Sequence, residues 1–271
     1  MITKFRLGAD PEMFLIDNIS NKVVSAINKV PGTKISPYKI SADGHSVQVD
    51  NVLLEFNIPP SGNPKRMWKD IEFVKDWFND NLPKNHSYLI KSSAKLDKSE
   101  LEDEGANEFG CDPDFNAWTG KVNKPPEAKD TLWRSAGAHI HISYEGYNMG
   151  TSVALVKAMD LFLGVPSVIF DTDTERRKLY GKAGAFRFKN YPNGEGGVEY
   201  RVLSNFWIKK LDYVKWVFSQ VEKAFIFINE HGEIENGSEL ANSIIHVINN
   251  SDVAEATKLI KKYKIYDTEQ I

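Results

Sequence analysis

Four short stretches each place two polar side chains two positions apart inside otherwise apolar sequence: Asp10/Glu12, Glu55/Asn57, His139/His141 and Glu199/Arg201. On an extended strand, positions i and i+2 share one face, about 7 Å apart. The surroundings of three pairs read as strands of a sheet covered by helices: Val-Leu-Leu-Glu-Phe-Asn-Ile, Ala-His-Ile-His-Ile and Val-Glu-Tyr-Arg-Val-Leu. Charge placed there must be paired or must bind metal. If the strands share a face, that face holds four carboxylates, two imidazoles, one amide and one guanidinium. Carboxylates with a histidine suit Mg²⁺ or Mn²⁺, hard ions that prefer oxygen. Any single pair fits an amphipathic edge strand or a cross-strand salt bridge equally well. The fourfold recurrence is what points to a site.

A second group lies at Arg176-Arg177-Lys178-Leu179-Tyr180-Gly181-Lys182-Ala183-Gly184-Ala185-Phe186-Arg187. Arginine forks and close-approaching glycine backbone suit a polyphosphate. Lys182 and Arg187 are the candidates here, with Arg201 following. Arg176 and Arg177 read as a cationic helix end. No Walker A or Rossmann fingerprint is present, so neither common nucleotide fold is supported. Asp112-Pro-Asp114-Phe-Asn116 begins like a calcium loop, but Ala117 and Asn123 stand where an EF-hand needs Gly and Glu. With Trp118, Asp112, Asp114 and Asn116 are instead candidates for substrate binding, as is Asn57 on the polar face. Cys111 reads as a small buried residue. His45, His86, His231 and His246 read as surface residues.

The elements that would carry these groups follow from periodicity. Residues 4–14 alternate as a strand marked by Pro11. Asp43-Gly44 signals a hairpin, followed by one long β-rich stretch from Val47 to Ile58 that ends at Pro59-Pro60-Ser61-Gly62. Residues 64–82 switch to helical period, with Trp68, Ile71, Val74, Trp77 and Phe78 in one stripe. Residues 95–130 form a long polar excursion, too long for a mere connection and placed to cover the mouth of a site. Strands follow at 138–144 and 198–203. Helices follow at 151–163 and 166–180, broken at Gly164-Val165-Pro166, and from about 207 onward the chain is helical. Hairpin strands with helices between groups of strands favour an α+β fold with an antiparallel sheet. The expectation is a single domain over 1–271.

Composition bounds the rest. The chain has 271 residues, 41% hydrophobic and 26% charged, with ample length for a core. Lys+Arg 34 against Asp+Glu 37 gives −3, which offers no bulk basic surface for nucleic acid. One cysteine excludes a disulfide framework and a cysteine-based zinc site. The first residues carry no apolar signal core, and the apolar runs read as too short and interrupted to span a bilayer. The expectation is therefore a soluble cytoplasmic protein without a membrane partner.

Several segments, in this order, resemble the carboxylate–amine ligases of the glutamine synthetase and glutamate–cysteine ligase superfamily. They are Gly8-Ala-Asp-Pro-Glu-Met-Phe, Glu55-Phe-Asn-Ile-Pro-Pro, Gly110-Cys-Asp-Pro-Asp-Phe-Asn-Ala-Trp, Ala136-Gly-Ala-His-Ile-His-Ile-Ser, Tyr180-Gly-Lys-Ala-Gly-Ala-Phe-Arg and Val198-Glu-Tyr-Arg-Val-Leu-Ser. The resemblance is strongest to the amidoligase branch common in bacteriophages, the COOH–NH2 ligase type 2 family. It implies a curved, mainly antiparallel sheet forming a funnel and backed by helices, the glutamine synthetase-like catalytic fold. It also implies ATP with Mg²⁺ or Mn²⁺ as cofactors, and a small-molecule or peptide carboxylate and an amine as substrates. Asp10, Glu12, Glu55, His139 and Glu199 match the family's metal ligands, and His141 its position beside the nucleotide. Arg187 and Arg201 match its phosphate-contacting arginines. Gln48 stands about where relatives place another carboxylate. The implied activity is ATP-dependent amide-bond formation through an acyl phosphate. The alternatives are a metal-dependent hydrolase using the His-x-His pair, and an inert binding protein on the same fold.

Overall fold

The alternation that opens the chain continues past Pro11 without a break. In the computed structural model, which describes residues 4–106, 114–123, 131–190 and 196–266, β1 spans Phe5–Asp17. After it come β2 (Lys22–Val24), β3 (Tyr38–Lys39), β4 (Ser46–Asp50), β5 (Leu53–Ser61), α1 (Pro64–Asn81), β6 (His86–Leu89), β7 (Ser93–Lys95) and β8 (Phe115–Asn116). Then follow β9 (Trp133–Ser135), β10 (Ala138–Tyr144), α2 (Met149–Met159), α3 (Val165–Phe170), α4 (Glu175–Leu179), β11 (Ala185–Asn190) and β12 (Gly196–Tyr200). The chain closes with α5 (Leu211–His231), α6 (Glu239–Asn250) and α7 (Val253–Lys262).

Among the described residues, one ten-stranded sheet runs in the order β3-β4-β5-β1-β10-β12-β11-β8, and β2 and β6 flank the far end of β1. Every pairing between its named strands is antiparallel. This is a mixed architecture of a large antiparallel sheet backed by helices. The period of two divides each central strand. Leu7, Ala9, Met13, Leu54, Phe56, Ile140, Ile142, Val198 and Tyr200 enter one large core with residues of α1, α2 and α5, and the alternate positions carry the polar residues.

Helix α1 starts where Asn63 accepts hydrogen bonds from the backbone N–H groups of Lys65 and Arg66, at 2.9 and 3.2 Å, with Pro64 in the first turn. It buries Met67, Ile71, Val74 and Phe78 behind the sheet.

Several expectations need correction. The β-rich stretch at 47–58 is two strands, because Asn51 takes φ +57 and turns the chain between Asp50 and Leu53. Strand β5 then continues through Pro59-Pro60 to Ser61. The helix from Met149 to Phe170 does not break at Gly164-Val165-Pro166. A π-helical turn at Asp160–Gly164 widens it, the Val165 N–H reaching the Asp160 carbonyl. That 22-residue helix is long and apolar enough to cross a bilayer by length and composition, contrary to the reading of short runs, and here it is mostly buried in the protein. Strand β12 ends at Tyr200, so Arg201 lies just beyond it. His45 is buried, its ring joined to Ser41 Oγ at 2.7 Å and Asp70 Oδ1 at 3.2 Å. In the excursion at 95–130, Leu96, Leu101 and Ala106 enter a smaller core with Phe14, Val52 and Leu53, while residues 115–116 pair with β11.

Behind β12, the π-helical turn presents a buried carboxylate. Asp160 accepts from Trp118 Nε1–H at 2.7 Å, the Tyr200 hydroxyl at 2.8 Å and the Gly184 N–H at 2.6 Å. Burial, outweighing these bonds, pushes its pKa up to about 7. Native Asp160 therefore holds its proton more tightly than the unfolded chain does, and its contribution to stability is lost as pH rises from about 4 through 7. Asp160→Ala should cost roughly 2–5 kcal/mol in denaturant unfolding, because three buried donors lose their acceptor. Asp160→Asn should cost much less, and its stability relative to wild type should improve between pH 5 and pH 8.

Candidate active site

The register of six strands converts the polar pairs into rows on one face. Gln48 lies opposite Glu55, and Glu55 opposite Glu12. Ser46 lies opposite Asn57, and Asp10 opposite His139. His141 lies opposite Glu199, and Glu199 opposite Arg187. Directly opposed residues point the same way, so the pairs from β1, β5, β10 and β12 meet above the sheet, away from the helices. The backbone N–H of Arg201 still donates to the Ala185 carbonyl at 3.0 Å, which carries the alternation one residue past β12.

Asp10 stands between the two imidazoles, 3.2 Å from His139 Nδ1 and 3.1 Å from His141 Nε2. Burial opposes its ionisation, but His141 and His139 hold its carboxyl well below the usual range. Burial and the neighbouring Arg201 keep His139 neutral, with a pKa near 3. On the other side of β1 the balance is opposite. Burial, with Asp50 adding to it, raises Glu12 to about 8. Burial and the charges of Asp10, Asp50 and Glu12 raise Glu55 well above its ordinary value. Glu12 Oε2 accepts from the Gly137 N–H at 2.6 Å, and Gln48 Nε2–H donates to Glu55 Oε2 at 2.9 Å. The carboxyls of Glu12 and Glu55 thus lie together with too little positive charge around them.

That shortage fits a cation. Asp10, His141 and Glu199 each offer a ligand atom, and these lie within 4.8 Å of one another. Asp10 Oδ1, His139 Nε2 and Glu199 Oε2 are buried without a hydrogen-bond partner. A donor set of carboxylate oxygens with imidazole nitrogen matches Mg²⁺ or Mn²⁺. The trio contains His141 rather than His139, which sequence reasoning had placed among the ligands.

Cations gather at the β12 side. Glu199 is fully buried and meets Arg201 Nη1 at close range, Lys189 Nζ at 2.7 Å, His139 Nδ1 at 3.6 Å and Arg187 Nη1 at 3.7 Å. Arg201 is itself buried, and its Nε–H donates to the Tyr180 hydroxyl at 2.5 Å and lies 3.4 Å from Asp114 Oδ2. Tyr180 in turn donates to Asp114. Asp114 therefore reaches the site through Tyr180 and Arg201. Arg176 is not a solvated helix end. It is buried and donates to the carbonyls of Ala136, Val202 and Leu203 at 3.2, 2.7 and 2.9 Å, bracing the chain where it enters β10 and leaves β12. Gly181, at φ +73, makes room for it, since a Cβ there would lie 1.8 Å from Arg176 Nη1. Arg177 is likewise buried, on Ser167 Oγ at 2.8 Å.

Not every candidate faces this site. Trp118 is buried, and its indole N–H is committed to Asp160 behind the sheet. Asn116 caps a turn, accepting from the N–H groups of Trp118 and Thr119 and donating to the Ala183 carbonyl. Both residues hold β8 against β11, which corrects the expectation that they contact substrate. Asn57 does lie on the polar face, donating to Ser46 Oγ at 3.3 Å and Gln48 Oε1 at 3.4 Å. Lys182 is exposed in the turn before β11. Asp112 and Cys111 fall outside the described residues. Sequence reasoning missed Lys189, although it stands two residues from Arg187 in the alternating Phe-Arg-Phe-Lys of β11. It also missed Asp50, two residues beyond Gln48 on β4. Nothing local marks Tyr180, which meets Asp114 across 66 residues.

Residues 133–244 match a known family. Its description is "Phage phiEco32-like COOH.NH2 ligase-type 2". The matching span carries His139, His141, Arg187, Glu199 and Arg201, while Asp10, Glu12 and Glu55 precede it. No curated protein matches the chain. Among solved structures, a bifunctional glutathione synthetase from Pasteurella multocida aligns at TM-score 0.49 and 10% identity, over 96% of this chain and 49% of that one. A structure titled "Apo GmaS without ligand" aligns at TM-score 0.40 and 11% identity, over 98% of this chain and 70% of that one. The chain thus spans about half the length of the glutathione synthetase.

If the buried carboxylates await a cation, Mn²⁺ should raise the Tm by several degrees at about 100 times its Kd. Glu199→Gln should abolish most of that increment in a thermal shift titration. An equal increment in wild type and variant would remove Glu199 from the site.

Proposed function

We propose that the polar sheet face catalyses ATP-dependent joining of a carboxylate to an amine. The observation that carries this reading is the meeting of two chemistries at Glu199. Carboxylates and imidazoles suited to a divalent cation lie on one side, and Arg187, Lys189 and Arg201 on the other. Phosphoryl transfer needs positioning and charge neutralisation more than covalent help, and a face of this kind supplies both. The family match over residues 133–244 supports the same reaction class.

In this reading Asp10, Glu12, Glu55, Glu199 and the histidines hold Mg²⁺ or Mn²⁺, which would supply charge neutralisation for phosphate oxygens. Arg187 directs its fork at the transferring phosphoryl group. Arg201 is a positioning residue. Held by Tyr180 and Asp114, it fixes the Glu199 carboxylate. A substrate carboxylate oxygen attacks the γ-phosphorus of ATP, the bond to the β-phosphate oxygen breaks, and ADP leaves an acyl phosphate. The amine nitrogen then attacks the acyl carbon. Phosphate departs and the amine proton is released, leaving the amide.

ADP release over a panel of carboxylates and amines with Mg²⁺ tests the reading. ADP should appear only when both an acid and an amine are present. Amide hydrolysis independent of ATP would replace it with the hydrolase alternative. Once a substrate pair is found, Arg187→Lys should lower kcat about 10²-fold with little change in Tm, because the planar fork is lost while the charge remains. Arg201→Lys should lower both kcat and Tm, since one ammonium cannot serve Glu199, Tyr180 and Asp114 together.

A further inference from the structure

Three cations converge on the Glu199 carboxylate, and the protein holds them unequally. Arg201 is 3% exposed in its side chain and tied to Tyr180 and Asp114 as well as Glu199. Arg187 is 15% exposed, with its nearest guanidinium nitrogen 3.7 Å from Glu199 Oε1. Lys189 is 31% exposed, and Glu199 is its one ion-pair partner among the described residues. Its ammonium lies 2.7 Å from Glu199 Oε2, yet off the hydrogen-bonding direction, so that oxygen has no hydrogen bond. Opposite Lys189 on β12 stands Gly197, which has no side chain to confine it. A flexible four-carbon stem ending in a point charge is thus parked on a fully buried carboxylate without being locked there.

Glu199 is also one of the trio whose ligand atoms lie within 4.8 Å of one another, with Asp10 and His141. A divalent cation on that trio and an ammonium on the same carboxylate repel at short range in a buried setting. Arg201 cannot retreat without breaking its bonds to Tyr180 and Asp114, whereas Lys189 can.

We propose that Lys189 is an exchangeable counter-charge. Without a divalent cation its ammonium neutralises Glu199. When a cation binds Asp10, His141 and Glu199, the ammonium moves off and binds an oxyanion brought to the same face. This inference rests on the metal- and phosphate-binding reading of the site. The oxyanion is either a phosphate of the nucleotide or the carboxylate of the acid substrate, and both present the same chemistry to an ammonium. The device makes binding sequential, because the lysine becomes available to an anion only after the cation has arrived.

The distinguishing feature is that loss of the lysine moves two affinities in opposite directions. Calorimetry on the full chain should show Lys189→Met binding Mn²⁺ alone about tenfold more tightly than wild type, since the internal competitor is gone. With Mn²⁺ saturating, the same variant should bind a nonhydrolysable ATP analogue about tenfold more weakly if phosphate is the oxyanion. If the carboxylate is the oxyanion, the loss should fall instead on L-glutamate used as a probe acid. Lys189→Gln, polar and uncharged, should show the same two shifts, which covers a failure of the Met variant to fold. Equal Mn²⁺ affinity in wild type and Lys189→Met overturns the exchange while leaving the metal site standing. Absence of Mn²⁺ binding in both overturns the reading of the site and the inference with it. Unchanged affinity for both the analogue and glutamate overturns the second half of the proposal.

Discussion

A carboxylate with no exposed surface governs this molecule. The Glu199 side chain is fully buried, and a charge in that position costs several kcal/mol unless its neighbours compensate. Compensation comes from three cations: Arg187 and Lys189 on the neighbouring β11, and Arg201 just past the end of β12. Arg201 in turn requires Tyr180 and Asp114. The demand of one buried charge therefore fixes how β11, β12, the turn after α4 and the segment around β8 sit together.

The other half of the face is under the opposite stress. Around Glu199 positive charge is abundant, while around Glu12 and Glu55 it is scarce and burial drives protons onto both. Asp10 lies between the two zones, on the same strand as Glu12 and separated from β12 by β10, and the imidazoles on β10 keep it ionised. In the proposed function the carboxylate-rich side of this face would hold a metal and the cation-rich side a polyanion.

Behind the sheet, polar groups do a different task. Asp160 is buried there, whereas Arg176 is buried beside the site, close enough to act on His139 and Glu12. Asp160 gathers three donors from β12 and the turns around β8 and β11. Arg176 donates to the carbonyls of Ala136, Arg201, Val202 and Leu203 at the ends of β10 and β12, and burial draws its pKa down to about 10. Each ties together backbone segments that lack a regular ladder partner, and so steadies the strands that carry the histidines and Glu199.

The polar pairs and the face they share were legible in the amino-acid sequence, because strand periodicity is a local property of the backbone. Asp10/Glu12, Glu55/Asn57, His139/His141 and the Glu199/Arg201 alternation needed no knowledge of their partners. The stop and start of α1 and the antiparallel character of the sheet were readable for the same reason. Which strands became neighbours was not. That β1 lies between β5 and β10, bringing Asp10 against His139 and Glu12 against Glu55, depends on register between segments more than forty residues apart. Trp118 and Asn116 looked available for a ligand, and His45 looked exposed, because burial is a property of the whole packed chain. Tyr180 and Lys189 acquired their places only when distant strands set Arg201 and Glu199 beside them. Local periodicity chose the face each side chain occupies. The long-range pairing of strands, driven by burial of the opposite face, chose what it meets there.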